Sequence, residues 1–242
     1  MEQITSLQNS RVKKWCALHK KKERDNTGLF LIEGEHLAQE AMAAGCIQEV
    51  ITDEERKLPF PKVFYVTPAI MKKISENVSE VHLIAVCRKP DLLPAKLNRV
   101  ILLDGVQDPG NLGTLIRTAI SFSFDAVYCS EDTCDLYNDK AVRSTQGALF
   151  HIPVIRCNLN DLVKNLQKDG FKVIATSLEK SHTIDEIPTE EKMAFIFGNE
   201  GQGVHKNLQA CADDRLRIDM HGFESLNVAV AGGIVMYSYR QK

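Results

Sequence analysis

VILLDGVQDPGNLGTLIRT, residues 100–118, carries three local signals in one stretch. Val100 to Leu103 are apolar without polar alternation, as in a strand covered on both faces. Asp108-Pro109-Gly110-Asn111 is a strong turn signal, because Pro presets φ while Asp, Gly and Asn accept the dihedrals of a tight turn. Leu112, Leu115 and Ile116 then make an apolar stripe at helical spacing, with Arg117 about two turns into that helix. The order strand, turn, helix predicts one unit of a parallel α/β sheet, and such sheets place ligands beyond the carboxyl ends of their strands.

The same pattern continues toward the C-terminus. Ala126 to Cys129, Phe171 to Thr176, Ala194 to Phe197 and Leu216 to Ile218 read as further strands, several of them continuously apolar. The last long run, LNVAVAGGIVMYSY from Leu226 to Tyr239, predicts a buried helix, with another subunit a good candidate for what covers it.

Toward the N-terminus, Lys89-Pro90-Asp91-Leu92-Leu93-Pro94 has the prolines and missing periodicity of a linker. Before it, Gly28 to Ile32, Ile47 to Ile51, Val63 to Val66 and Leu83 to Val86 suit short strands, and HLAQEAMAAG ending at Gly45 suits a helix. A second helix opens at Pro68. The expected architecture is a smaller N-terminal α/β domain over 1–89, a linker over 90–98 and a larger parallel-sheet domain over 99–242. RVKKWCALHKKKER, residues 11–24, reads as one short amphipathic helix with a positive face. That face suits plain solvation and RNA phosphates alike.

The formal net charge of −2 excludes a uniformly basic nucleic-acid binder but leaves room for a local basic patch. The seven cysteines are scattered and none forms a C-x-x-C pair, so neither a disulfide framework nor a metal site is expected. No apolar run approaches the roughly 18 residues of a membrane span, and the first ten residues lack the features of a signal peptide. These points predict a cytoplasmic protein without membrane association.

Two more segments sit at predicted strand ends. FIFGNEGQGV, residues 195–204, has three glycines where backbone could approach a ligand closely. Gly198 and Gly203 lack the Lys and Ser/Thr of a P-loop, and Gly201-x-Gly203 lacks the third glycine of a dinucleotide fingerprint, so neither a nucleoside triphosphatase nor a nicotinamide enzyme is supported. IDMHGFESLNVA, residues 218–229, runs from a strand through a loop to the terminal helix, where Ser225 could serve as a cap. Read singly, Arg117 could be a surface ion-pair residue and the glycine loop an ordinary turn. Read together, the three segments point elsewhere.

D-P-G-N-L-G-x-x-x-R-T, F-G-N-E-G-x-G and I-x-M-x-G-x-E-S-L-N-V-A-V-A, in that order, resemble the three motifs of the SpoU or TrmH family of RNA 2′-O-ribose methyltransferases. The likeness runs from about Val100 to the end, and GLFLIEGEHLAQEA before it resembles the family's N-terminal RNA-binding domain. It implies a SPOUT-type α/β fold with a C-terminal trefoil knot, a homodimer, and S-adenosylmethionine held in the knot largely by backbone groups. By motif position it implies Thr176, Gly198, Asn199, Gly203, Ile218, Met220 and Leu226 as cofactor-binding residues, and Asn111, Arg117, Glu200, Ser225 and Asn227 as substrate and catalytic residues. No metal is implied. Between Gly222 and Ser225 only Phe223 and Glu224 stand, one residue fewer than in many members, and Ser79 to Leu83 departs from the segment common there.

The implied chemistry is in-line methyl transfer, which needs alignment of the 2′-oxygen and help with its proton. Arg117, a poor base at an ordinary guanidinium pKa, would clamp a phosphate and stabilise charge growing on the ribose oxygen, with Asn111 and Glu200 orienting it or the ribose. The expected substrate is ribosomal rather than transfer RNA. Alternatives are a non-catalytic RNA-binding or ribosome-assembly protein of the same fold, and methylation of a base.

Overall fold

The computed structural model describes residues 2–76, 80–220, 222 and 225–241; Ser79, His221, Phe223 and Glu224, on which parts of the sequence reading fall, lie outside the described residues. In chain order the elements are β1 (Glu2–Ile4), α1 (Ser10–Ala17), α2 (Lys21–Thr27), β2 (Leu29–Glu33), α3 (Glu35–Ala43), β3 (Ile47–Thr52), β4 (Val63–Val66), α4 (Pro68–Ile74) and β5 (Leu83–Arg88). There follow β6 (Arg99–Asp104), α5 (Pro109–Ser121), β7 (Ala126–Cys129), α6 (Asp139–Thr145), β8 (Val154–Arg156), α7 (Leu159–Lys168) and β9 (Lys172–Thr176). The chain ends with β10 (His182–Thr183), β11 (Met193–Gly198), α8 (Lys206–Cys211), β12 (Asp214–Arg217) and α9 (Val228–Ser238). They form two compact units, Met1–Asp91 with Asp135–Phe150, and Leu92–Cys134 with His151–Lys242.

In the first unit a five-stranded mixed sheet runs in the order β1-β4-β3-β5-β2. The segment Asp135–Phe150, which a linear division leaves with the C-terminal part, belongs here because Val142, Leu149 and Phe150 share a buried cluster with Phe30, Ile32 and Leu37. The single helix expected over 11–24 is instead two. Leu18 turns into the core, and the buried Arg24 guanidinium satisfies the carbonyls freed by the break, donating to Leu18 O and His19 O at 2.7 Å each.

The second unit is built on a seven-stranded parallel sheet, β10-β12-β9-β11-β6-β7-β8. All six residues of β6 and of β11, which pair side by side at its middle, are buried. Their alternate side chains feed both faces: Val100, Leu102, Ala194 and Ile196 pack with Leu159 and Val163 of α7 and Leu208 of α8. On the α5–α9 side the helices approach closely because Gly232 lacks a side chain; a Cβ there would lie 2.3 Å from Leu115 Cδ2. Each buried Leu, Ile or Phe in such a sheet stabilises it by roughly 1.5–3 kcal/mol.

β12 lies slightly N-terminal to the strand expected at Leu216 to Ile218, and it inserts between β9 and β10 rather than adding at an edge. This insertion brings the segment after β12 to the carboxyl ends of β9 and β11, where the sequence places its glycine loop.

Candidate active site

α5 starts where the sequence predicts. Asp108 is its N-cap, the carboxylate accepting the Asn111 N–H at 2.9 Å, and Pro109 stands in the first turn, where its missing N–H costs nothing. The cap fixes Asn111 on the open end of the helix, half-buried, and leaves Arg117 exposed further along it. The Arg117 guanidinium has no hydrogen bond or ion pair among the described residues.

β11 delivers the second motif to the same end of the sheet. The Asn199 N–H donates to Gly203 O at 3.1 Å and the Gly203 N–H to Asn199 O at 2.9 Å, which closes residues 199–203 into a tight loop. Asn199 pins both sides of that loop: its Oδ1 accepts the N–H groups of Gly201 and Gln202 at 2.9 and 3.1 Å, and its Nδ2 donates to Gly105 O at 2.9 Å. Gly203 adopts φ +68°, a conformation that favours glycine.

Glu200 joins the first two motifs. Its Oε2 accepts the Gln107 N–H at 3.2 Å, and its Oε1 accepts the Asp108 N–H at 3.1 Å and Asn111 Nδ2 at 2.9 Å. Partial burial pushes the Glu200 carboxyl up, but the bonds from Asn111 and from the two backbone N–H groups outweigh it and hold it below the usual carboxylate range. The third motif enters through Asn227. Its Nδ2 donates to Asn111 Oδ1 at 3.0 Å, while its Oδ1 caps α9 by accepting the Ala229 and Val230 N–H groups at 2.9 and 3.3 Å. One chain of hydrogen bonds, Asn227 to Asn111 to Glu200, thus ties the three motifs together at the carboxyl edge of the sheet.

The structure does not bring every expected residue into this network. Asn111 and Glu200, expected to orient Arg117 or the ribose, make their hydrogen bonds to each other, to Asn227 and to the loop backbone, and none to Arg117. Ser225 is exposed, and Asn227 rather than Ser225 caps α9. Thr176 Oγ1 donates to Ile196 O at 2.9 Å, which fixes the end of β9 against β11. Ile218 and Met220 are half-buried and Leu226 is 38% exposed, so this segment keeps apolar surface open to solvent.

One pair escaped the sequence reading. Asp104, buried at the end of β6, accepts the His205 N–H at 2.8 Å and approaches His205 Nδ1 at 2.9 Å. That hydrogen bond, with the Asp104 charge, raises the His205 pKa above its ordinary value. The pair anchors the exit of the glycine loop to the strand that begins the first motif. Its only signal in sequence is that both residues border motifs, 101 positions apart.

Comparison with known proteins identifies the family. A family model described as the SpoU rRNA Methylase family matches residues 98–237, and one described as an MRM3-like substrate binding domain matches residues 9–85. The 23S rRNA (guanosine(2553)-2′-O)-methyltransferase RlmP of Bacillus subtilis is 42% identical, covering 99% of this chain and 100% of its own length. Among solved structures, an AdoMet-bound rRNA methyltransferase from Sinorhizobium meliloti is 30% identical, with a TM-score of 0.88 over 98% of this chain and 97% of that one. A structure described as an RNA 2′-O ribose methyltransferase is 26% identical, with a TM-score of 0.84 over 98% and 97%. The family match over residues 98–237 and the full-length likeness coincide: the chain belongs to the SpoU rRNA methylase family.

Proposed function

We propose that this protein transfers the methyl group of S-adenosylmethionine to a ribose 2′-hydroxyl of ribosomal RNA, with a guanosine of 23S rRNA as the target. The observation that carries the proposal is the Asn227–Asn111–Glu200 chain at the start of the helix that also bears the exposed Arg117, which has no partner among the described residues, in a protein that matches a 23S rRNA 2′-O-methyltransferase over its whole length.

The residues around the glycine loop fit the cofactor. Ile218, Met220 and Leu226 offer partly open apolar surface to an adenine ring, and the loop presents main chain without bulk. A Cβ at Gly203 would meet nothing within 4 Å, and one at Gly201 only Asn199 Oδ1 at 3.6 Å. Thr176 at the end of β9, Gly198 at the end of β11 and Asn199 just beyond it would line the other side of the cofactor pocket. When bound, the cofactor supplies a sulfonium-activated methyl group.

The chain's own residues do the rest. Arg117 is a fixed cation with a planar fork of donors, suited to grip a phosphate and to stabilise negative charge growing on the 2′-oxygen. The hydrogen-bonded Glu200 and Asn111 hold the first loop rigid against the second, so that the 2′-oxygen can be aligned for attack. Ser225, exposed beside Asn227, faces solvent where RNA can reach it.

The proposal includes a homodimer, a knotted C-terminus and a cytoplasmic location. Val230, Ile234 and Tyr237 lie along one side of α9 and are 52%, 37% and 55% exposed, an apolar stripe that a second copy would cover. The position of β12, inserted between the earlier strands β9 and β10, supports the knot. Seven free cysteines and an RNA substrate support a reducing interior compartment. The first unit would serve as the RNA-binding domain and the second, residues 92–134 with 151–242, as the methyltransferase domain, so that the segment 135–150 lies with the RNA-binding part.

The test is transfer of labelled methyl from S-adenosylmethionine to RNA from a strain lacking the gene, followed by mapping of the product. A single 2′-O-methylguanosine in 23S rRNA is expected, made by a protein that sediments as a dimer. Label on a base, or on transfer RNA alone, overturns the substrate assignment, and a monomer at working concentration overturns the dimer.

A further inference from the structure

Residues 11–24 hold seven Lys or Arg and a single Glu, in a chain whose formal net charge is −2. A net-negative protein that grips a polyanion must concentrate its positive field locally. The structure divides these cations into two kinds. Both arginines are tied into the fold: Arg11 pairs Glu49 at 3.1 Å and Glu2 at 3.4 Å, and the buried Arg24 pairs Asp135 at 2.5 Å besides holding two carbonyls.

The lysines are free. Lys13 and Lys14 on α1 and Lys20, Lys21 and Lys22 at the start of α2 are all exposed, and none makes a hydrogen bond or ion pair among the described residues. Of the neighbouring acids, Asp25 is engaged by Lys89 at 2.8 Å, with Lys21 adding to the positive field on it, and Glu76 by His19 at 3.0 Å; Glu23 on α2 is the one acid within the stretch and offsets a single charge. α4 packs on α1, with Cys16 Sγ donating to Lys73 O, and it adds Lys72, also exposed and unpaired among the described residues. Of the two ring-bearing residues of the stretch, Trp15 is buried and donates to Glu49 at 2.9 Å, and the half-buried His19 is held between Ile74 O at 2.8 Å and Glu76 at 3.0 Å. The surface can therefore neutralise phosphates but has no aromatic side chain to read bases.

We propose that Lys13, Lys14, Lys20, Lys21, Lys22 and Lys72 form the face on which the first unit holds the phosphate backbone of the substrate RNA, without regard to sequence. This inference rests on the methyltransferase reading above. It separates affinity, carried by these lysines, from nucleotide choice, which must come from other contacts.

The test uses the full-length protein, a 23S rRNA fragment that it methylates, and the triple variant Lys20→Gln/Lys21→Gln/Lys22→Gln. Each lysine on a phosphate contributes about 0.7 to 0.9 to the slope of log affinity against log salt, so the variant's slope should fall by about 2. Its KM for RNA should rise at least about tenfold near 100 mM salt, by the same counterion argument, with kcat and cofactor Kd kept. Arginine at the same three positions should restore the slope, and Lys164→Gln/Lys168→Gln on α7 of the second unit should leave it unchanged. An unchanged slope and KM in the triple variant overturns the assignment, as does an equal loss in the α7 control. Preference of the wild type for anionic phospholipid vesicles over RNA also overturns it. Wild-type protein that neither binds nor methylates any RNA overturns the functional reading itself, a different failure from variants that match an active wild type.

Discussion

Arg117→Ala is expected to lower kcat by about 100-fold or more at saturating RNA and cofactor, the usual loss when one donor to a developing oxyanion is removed. The Kd for S-adenosylmethionine should stay within about twofold, because Arg117 makes no bond to the glycine loop or its supports. Stability should also be unchanged, since an exposed side chain with no partner among the described residues contributes little to the fold. Arg117→Lys distinguishes charge from shape. It keeps the cation but loses the planar fork, so partial recovery is expected if phosphate grip dominates and little if two aligned donors are needed. Single-turnover methyl transfer and calorimetry with the cofactor analogue provide both readouts. Near-normal turnover in Arg117→Ala would remove Arg117 from the chemistry, and a parallel loss of cofactor affinity would move it into the pocket.

The contrast between Arg117 and its neighbours explains what could be read in advance. Local rules sufficed where a few adjacent residues decide the structure. The Asp108 cap with Pro109 behind it starts α5 as the turn signal requires, and Ala126–Cys129 forms a strand as its apolar run predicts. They failed where distant contacts decide. The apolar stripe of residues 11–24 satisfies one helix, but the core contact of Leu18 and the Arg24–Asp135 pair favour a break, and Asp135 is 111 positions away from Arg24. β8 and β10, of three and two residues, are strands only because a neighbour offers hydrogen bonds.

The site divides in the same way. Recognition of the motifs named Asn111, Glu200 and Asn227, yet their order in one hydrogen-bonded chain depends on three loops that meet only after β12 inserts between β9 and β10. The sequence expects Asn111 and Glu200 to orient Arg117 or the ribose; in the structure their hydrogen bonds go to each other, to Asn227 and to the loop backbone. The carboxylate receives two backbone N–H groups from the first loop and the side-chain amide of Asn111 on α5, and that geometry makes it a brace between the loop and the helix start.

Gly198→Ala is expected to lose stability and cofactor binding together, and it tests whether that brace serves a pocket. A Cβ at Gly198 would lie 2.0 Å from Gly203 C, 2.1 Å from Val204 N and 2.3 Å from Gly203 O. All three are backbone atoms, so no side chain can swing aside, and relief requires parting β11 from its own returning loop. That displacement breaks the Asn199–Gly203 pair and pulls at the Asp104–His205 anchor one residue beyond Val204. Overpacking of this kind costs on the order of 3 kcal/mol, which lowers Tm by roughly 6 °C or more in a chain of this size. Two neighbouring glycines calibrate the result. Gly203→Ala has space but must keep φ +68°, a cost of about 1–2 kcal/mol, whereas Gly201→Ala would make only one ordinary contact at 3.6 Å and should be neutral in Tm. If cofactor affinity falls in the order Gly198, Gly203, Gly201, as stability does, the loop's shape and the pocket are one structure. If Gly198→Ala melts early yet binds cofactor like wild type once folded, the loop supports the sheet alone and the pocket lies elsewhere.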